Sequence, residues 1–261
     1  MTQASISIEN VTKRFPLKGN SEGVVALENV SLSVAGSEFV ALLGPSGCGK
    51  STLLRLIASL ETATEGTVAI SGEAPRGMAT RHALGVAFQD HALLPWLSVR
   101  DNIALPFSLA NRPIDQQAVG DLLKLVGLEG FAQARPNQLS GGMRQRVSIA
   151  RALVLSPEVL LLDEPFGALD AVTRRQMNIE LQRIWSRQQI TTVLVTHSVD
   201  EALFLADRIL VLSARPGRIV REVVVPFDRP RDPAVMLGKD FHKLVDDLTD
   251  ALHPDETDAG V

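Results

Sequence analysis

Two kinds of segment alternate along the chain. Short runs rich in β-branched residues recur, and between them lie longer stretches with apolar residues three and four positions apart. "SISIENV" at 5–11 alternates apolar and polar positions and predicts a half-exposed strand. "FVALL" at 39–43 and "VLLL" at 159–162 are apolar at every position and predict buried strands. "TVAI" at 67–70, "GVAFQ" at 85–89 and "TTVLVT" at 191–196 predict three more. Solid apolar strands joined by helices call for a parallel sheet covered on both faces, so the fold class is α/β.

Residues from about 90 to 157 break this rhythm. They hold no clear strand and at least two helical patterns, including "QQAVGDLLKLVGL" at 116–128, and predict a helical insertion into the α/β body. "RPNQ" at 135–138 reads as a loop. The main domain is expected to span 1–226, with 227–261 as a short extension. That extension opens on a Pro-rich linker, "FDRPRDP", and continues in an amphipathic helix with Phe241, Leu244, Val245, Leu248 and Leu252 on one face. The last residues, "HPDETDAGV", are expected to fray.

The length of 261 residues and the apolar fraction of 45% suit a globular protein with a sizeable core. A net charge of −4 gives no basic excess for binding nucleic acid broadly, and none is expected as a partner. One cysteine excludes an internal disulfide. "MTQASISIEN" lacks the basic start and apolar core of a secretory signal, and runs such as "VLLL" are too short to span a bilayer. Work at a membrane would therefore go through a partner.

Chemistry enters at 44–51, "GPSGCGKS", which satisfies G-x-x-x-x-G-K-[ST] between a buried strand and a helix. Glycines let successive N–H groups curl round phosphate oxygens. Lys50 supplies a cation and the Ser51 hydroxyl can ligate Mg²⁺. Cys48 reads as a small residue filling a tight loop. Asp163 and Glu164 close the apolar strand in "VLLLDEP", at the strand end where open α/β sheets bind ligands. There Asp163 can hold the Mg²⁺ shell and Glu164 can orient and deprotonate a water. His197 and Gln89 end two further strands. "LSGGMRQR" at 139–146 places a second glycine-built anion site at a helix start, far from the first.

These motifs in this order resemble the ATPase subunit of ATP-binding cassette (ABC) transporters, over about residues 6–225. The resemblance implies a phosphate-loop ATPase cassette with a mostly parallel sheet, an antiparallel β portion near the N-terminus and an inserted helical subdomain. It implies ATP and Mg²⁺, with Gly44, Pro45, Ser46, Gly47, Cys48, Gly49, Lys50, Ser51 and Thr52 as the phosphate loop and Phe15 stacked on adenine. Gln89 becomes the Q-loop glutamine and shares the metal with Ser51 and Asp163. Glu164 becomes the general base, His197 the switch histidine, and "GALD" at 167–170, with Asp170, the D-loop. Ser140, Gly141, Gly142 and Gln145 belong to the signature. In this family two cassettes pair head to tail, and each signature caps the nucleotide on the other's loop, which gives the second glycine site its purpose.

A finer likeness lies in "FQDHALLPWLSVRDNIALPF" and "LSARPGRIVREVVVPFDRPRD", which resemble bacterial importers of nitrate, aliphatic sulfonates, taurine and related solutes. It implies a peripheral subunit on the cytoplasmic face of the inner membrane, a second copy of itself, integral membrane permease subunits and, indirectly, a solute-binding protein. Leu93, Leu94, Pro95, Trp96 and Leu97 either receive the permease or pack within their own subdomain. A soluble cassette ATPase working on nucleic acid or ribosomes, or the ATPase of another transporter subfamily, remains the alternative. A P-loop kinase or GTPase would leave the signature and switch histidine without a task.

Overall fold

The structure is a computed structural model and describes residues 4–17, 20–167 and 169–252. Its main sheet has six strands in the order β5 (Leu84–Ala87), β6 (Val159–Asp163), β7 (Thr191–Val195), β3 (Phe39–Leu43), β8 (Arg208–Leu212) and β9 (Ile219–Val224). The first five run parallel, and β9 turns back antiparallel on β8. β3, β6 and β7 are buried at every residue, as strands covered on both faces must be. Phe39, Ala41 and Leu43 point into one core, shared with α6 (Ala171–Gln188), α7 (Val199–Leu205) and α8 (Lys239–Leu252). Val40 and Leu42 point into the other, shared with α1 (Lys50–Ile57).

A second, antiparallel sheet of three strands closes that other core, in the order β2 (Asn20–Val34), β1 (Ile6–Leu17), β4 (Glu65–Ile70). Ile6 and Ile8 of β1 face inward, as the alternation predicts. β2, β8 and β9 have no counterpart among the strands read from the sequence. The pairing of β2 with β1 shifts register repeatedly, so the period-two alternation is broken. β9 is a half-exposed edge strand that, among the described residues, pairs with β8 alone.

Within 90–157 the structure holds α3 (Val99–Leu109), α4 (Gln116–Leu125) and α5 (Gly141–Leu153), which share an apolar cluster of their own around Ile103, Val119, Leu123 and Val147. The short helix α2 (Pro75–Thr80) lies outside it. Each of the three helices starts on a side-chain cap: Ser98, Asp115 and Ser140 accept from backbone N–H groups of their first turns. "RPNQ" is not a plain loop, because Pro136–Gln138 form a 3₁₀ turn whose Gln138 side chain accepts from the Arg135 N–H at 2.8 Å.

The segment expected to be a linker after Pro226 is instead fastened down. Arg231 is 3% exposed and donates to Phe204 O (3.0 Å) and Phe227 O (3.2 Å). Burial and the neighbouring Arg229 charge lower its pKa to about 10. Arg229 pairs with Asp207 and lies over the Trp185 ring, 4.0 Å from its centroid. Beyond it, α8 buries Phe241 and Leu248 in the main core, with Leu244, Val245 and Leu252 against it. Residues 253–261, expected to fray, lie outside the described residues.

One buried acid has no counterpart in the sequence reading. Glu201, in the first turn of α7, is 3% exposed, and its Oε1 lacks a hydrogen-bond partner among the described residues. Burial raises its pKa from 4.5 to about 7, the Glu164 charge adds to the rise, and Thr196 and Arg174 oppose it. The folded chain therefore keeps a proton that the unfolded chain releases near its ordinary value. This contribution to stability is full below about pH 4.5, falls as pH rises and is gone above about pH 7. Glu201→Gln should match the wild type near pH 4 and exceed it at pH 8 by roughly 3 kcal/mol, read from denaturant midpoints. A lower midpoint for the variant at pH 8 would contradict this.

Candidate functional site

The loop between β3 and α1 is shaped by its glycines. Gly47 (φ 74°) and Gly49 (φ 107°) adopt left-handed conformations that a side chain would strain. Gly49 is also the N-cap of α1 and offers no side chain, so the first-turn N–H groups are left for an anion. The Lys50 ammonium is held inside the loop, donating to Gly44 O at 2.6 Å and Pro45 O at 2.9 Å. Cys48 is buried behind it, as a filler should be.

Neighbouring strand ends supply the other groups. Ser51 Oγ, in the first turn of α1, donates to Asp163 Oδ1 at the end of β6, 2.9 Å away. Asp163 is only 4% exposed. Burial raises its pKa above the usual carboxylate range and Glu164 adds to this, while the Ser51 hydroxyl, Arg55 and Lys50 oppose. A buried carboxyl against a hydroxyl beside an anion cradle fits a hard dication such as Mg²⁺, which needs few protein ligands when phosphate oxygens complete its shell. No cluster of three or more His, Cys, Asp or Glu able to hold a metal occurs among the described residues.

Glu164 sits in the left-handed region (φ 47°), where few non-glycine residues are found. Its N–H donates to Val195 O of β7 at 2.8 Å, so the turn is tied to the next strand. Its Oε2 lies 3.3 Å from Nδ1 of His197, just past the end of β7. Gln89 stands exposed just past the end of β5. Arg151 of α5 ties the segment after it to the helical cluster, donating to His91 O (2.7 Å) and Ala92 O (2.8 Å).

One cleft of about 710 Å³ gathers Ser46, Gly47, Gly49, Lys50, Ser51, Thr52, Gln89, Glu164 and His197, with Phe15 of β1 on its wall. The sequence reading missed three lining residues, Val24, Ala26 and Arg215. Val24 and Ala26 belong to β2, and Arg215 follows β8. Recognising "RILVL" as a strand beside β3 would have placed Arg215 next to the loop.

Ser140, Gly141, Gly142, Gln145 and Asp170 line no part of this cleft. Ser140 caps α5, its Oγ accepting from the Met143 N–H at 3.2 Å. Gln145, read as a nucleotide contact, is buried within α5, 2% exposed. Asp170 caps α6, and hydrogen bonds from Thr173, and then from the Val172 N–H, hold its carboxyl below its ordinary pKa. Ala168, within the predicted D-loop, lies outside the described residues.

Known proteins place this arrangement. Residues 27–167 match the family model described as ABC transporter. The chain is 46% identical over 249 residues to the nitrate import ATP-binding protein NrtD of Synechococcus elongatus, covering 93% of this chain and 89% of that one. It is 45% identical over 228 residues to the aliphatic sulfonates import ATP-binding protein SsuB of Bacillus subtilis, covering 87% and 88%. Its fold matches the dimeric post-hydrolysis structure of the ATP-binding cassette MJ0796 bound to ADP and Pi, with a TM-score of 0.77, 34% identity, and coverage of 85% of this chain and 100% of that one. A glycine-built phosphate loop facing a strand-end acid pair, in a fold shared with solved cassettes, makes this chain an ATP-hydrolysing member of the ABC transporter family.

Proposed function

We propose that this chain powers the uptake of a small solute, such as nitrate, a sulfonate or taurine, through a separate membrane permease. The observation that supports the reading most is the convergence of the phosphate loop, Gln89, Glu164 and His197 in one cleft, with Asp163 buried behind it on the Ser51 hydroxyl, in a chain similar to NrtD and SsuB. A solute-binding protein would deliver the solute, and the chain would work from the cytoplasmic face of the membrane. No helix among the described residues is long and apolar enough to cross a bilayer, so the path itself would be built by the partner. Residues 1–226 form the cassette in this reading, and 227–261 are a short extension whose helix α8 buries Phe241 and Leu248 in the main core.

The loop N–H groups and Lys50 bind the phosphates, and Phe15 stacks on the adenine. Ser51 and Asp163 would hold Mg²⁺ together with Gln89, and the bound ion would supply charge that neutralises the phosphates. Glu164 takes the proton of the attacking water, and His197, 3.3 Å away, orients that carboxylate. Trp96 is 66% exposed and Pro95 is exposed, which favours permease docking for these two, whereas Leu93 packs against the helical cluster. Arg151 would carry that contact from the Gln89 segment to the helix that bears Gly141 and Gly142.

Two variants test the roles. Glu164→Gln should keep ATP binding while turnover falls by roughly 10²–10⁴, the usual worth of a general base. Near wild-type hydrolysis would move the base elsewhere. Phe15→Ala should weaken ATP binding about fivefold, the equivalent of roughly 1 kcal/mol of stacking, and Phe15→Tyr should leave it unchanged. Titration with a fluorescent ATP analogue reads both, and equal affinity in Phe15→Ala would remove this residue from the site.

A further inference from the structure

The turn between β8 and β9, residues 213–218, touches the phosphate loop from outside. Its own shape is closed by internal bonds: Ser213 N donates to Arg218 O at 2.9 Å, and Ser213 Oγ donates to Pro216 O at 2.9 Å while accepting from Arg218 N at 3.0 Å. It is pinned to β2, because Gly217 N donates to Ala26 O and Glu28 N donates to Gly217 O, both at 3.0 Å. From this base Arg215 reaches the loop and places Nε and Nη2 on one oxygen, Gly47 O, at 3.1 and 2.9 Å. Gly217 lies hard against the next carbonyl, where an added Cβ would stand 2.1 Å from Cys48 O.

These two oxygens belong to successive peptide units. In a trans peptide the C=O and the following N–H point in opposite directions. Holding Gly47 O outward therefore turns the Cys48 N–H inward, and seating Cys48 O against Gly217 turns the Gly49 N–H inward. The Cys48 N–H does point into the loop, where it donates to Pro45 O over a long 3.3 Å until a nucleotide takes its place. We propose that Arg215 and Gly217 are positioning residues of the phosphate loop, fixing the direction of the Cys48 and Gly49 N–H groups before nucleotide arrives. An anion cradle pre-set in this way does not spend binding energy on ordering itself. The same turn anchors β2, which carries Val24 and Ala26 on the cleft wall, so one small element aligns the phosphate and base sides of the site.

The inference rests on the reading of this cleft as the nucleotide site, and failure of the wild type to bind ATP or ADP would remove that reading itself. The test uses the full chain with Arg215→Ala, Arg215→Lys and Gly217→Ala. Arg215 is exposed, so its loss should leave the melting temperature unchanged. In nucleotide-free protein, Arg215→Ala should speed hydrogen exchange at the Cys48 and Gly49 amides. Affinity for ATP and for ADP should fall together, about tenfold, while kcat at saturating ATP stays within about twofold. Arg215→Lys, which still donates to Gly47 O, should recover most of the loss. Folded Gly217→Ala should reproduce the affinity loss although no charge changes. Unchanged affinity in Arg215→Ala, a loss confined to ATP, or weakened binding with unchanged amide exchange would each overturn the proposal, the last two by pointing to direct contact with nucleotide.

Discussion

Everything at this site depends on the parallel register of five strands. Because β5, β6, β7, β3 and β8 run the same way and lie side by side, their carboxyl ends form one edge of the sheet. That edge delivers, in order, Gln89, Asp163 with Glu164, His197, the phosphate loop and Arg215. The requirement is strict. Slipping β6 by one residue would send Asp163 to the opposite face and bring Leu162 toward Ser51. The register is secured by burial on both faces, since any slip would also put the apolar side chains of 159–162 on the wrong sides.

Burial then sets the electrostatics. Asp163 and Glu201 both lie in the interior near Glu164, and desolvation raises the pKa of both. Such carboxyls repel further negative charge unless cations answer them. Lys50 is held on loop carbonyls within the cleft, and Arg174 faces Glu201 while bonding Phe166 O and Leu169 O next to the Glu164 turn. Backbone carbonyls thus fix the cations, and the cations fix the loops that carry the acids. The geometry that suits a triphosphate with its metal follows from this arrangement, because an anion cradle and a dication site need opposite charges a few ångströms apart.

The sequence made the chemistry legible wherever a motif coincided with a strongly patterned element. The buried strands 39–43, 159–163 and 191–195 announce themselves, and each carries its functional group at its end. Less patterned elements hid their residues. β2 is irregular against β1, and β8 lies outside the strands that the pattern predicts, so the pattern does not bring Val24, Ala26 and Arg215 to the cleft wall. Pro-rich "FDRPRDP" reads as a linker by composition, yet Arg231 binds it down through long-range bonds that no local pattern encodes. Gln145 stands in the right motif and faces inward, because its position on the helix, and not the motif, decides which way it points.

One feature of the cleft bears on assembly. Gly141 and Gly142 open a capped helix that lines no part of it, so a single chain presents a phosphate loop and a separate glycine-built helix start. Occlusion of ATP by mixed dimers tests most directly whether the second acts on the nucleotide of another copy. One chain carries Lys50→Ala and the other Gly141→Asp, both with Glu164→Gln to stop turnover. Gly141 is the better choice than Gly142, because a Cβ there meets only Arg144 at 4.0 Å, whereas at Gly142 it would stand 2.4 Å from Leu169 Cδ2. Action between copies predicts about one occluded ATP per mixed dimer, at the site that pairs an intact loop with an intact helix start, and almost none in either parent dimer. No occlusion in verified mixed dimers, with the dimer carrying Glu164→Gln alone occluding normally, would contradict it.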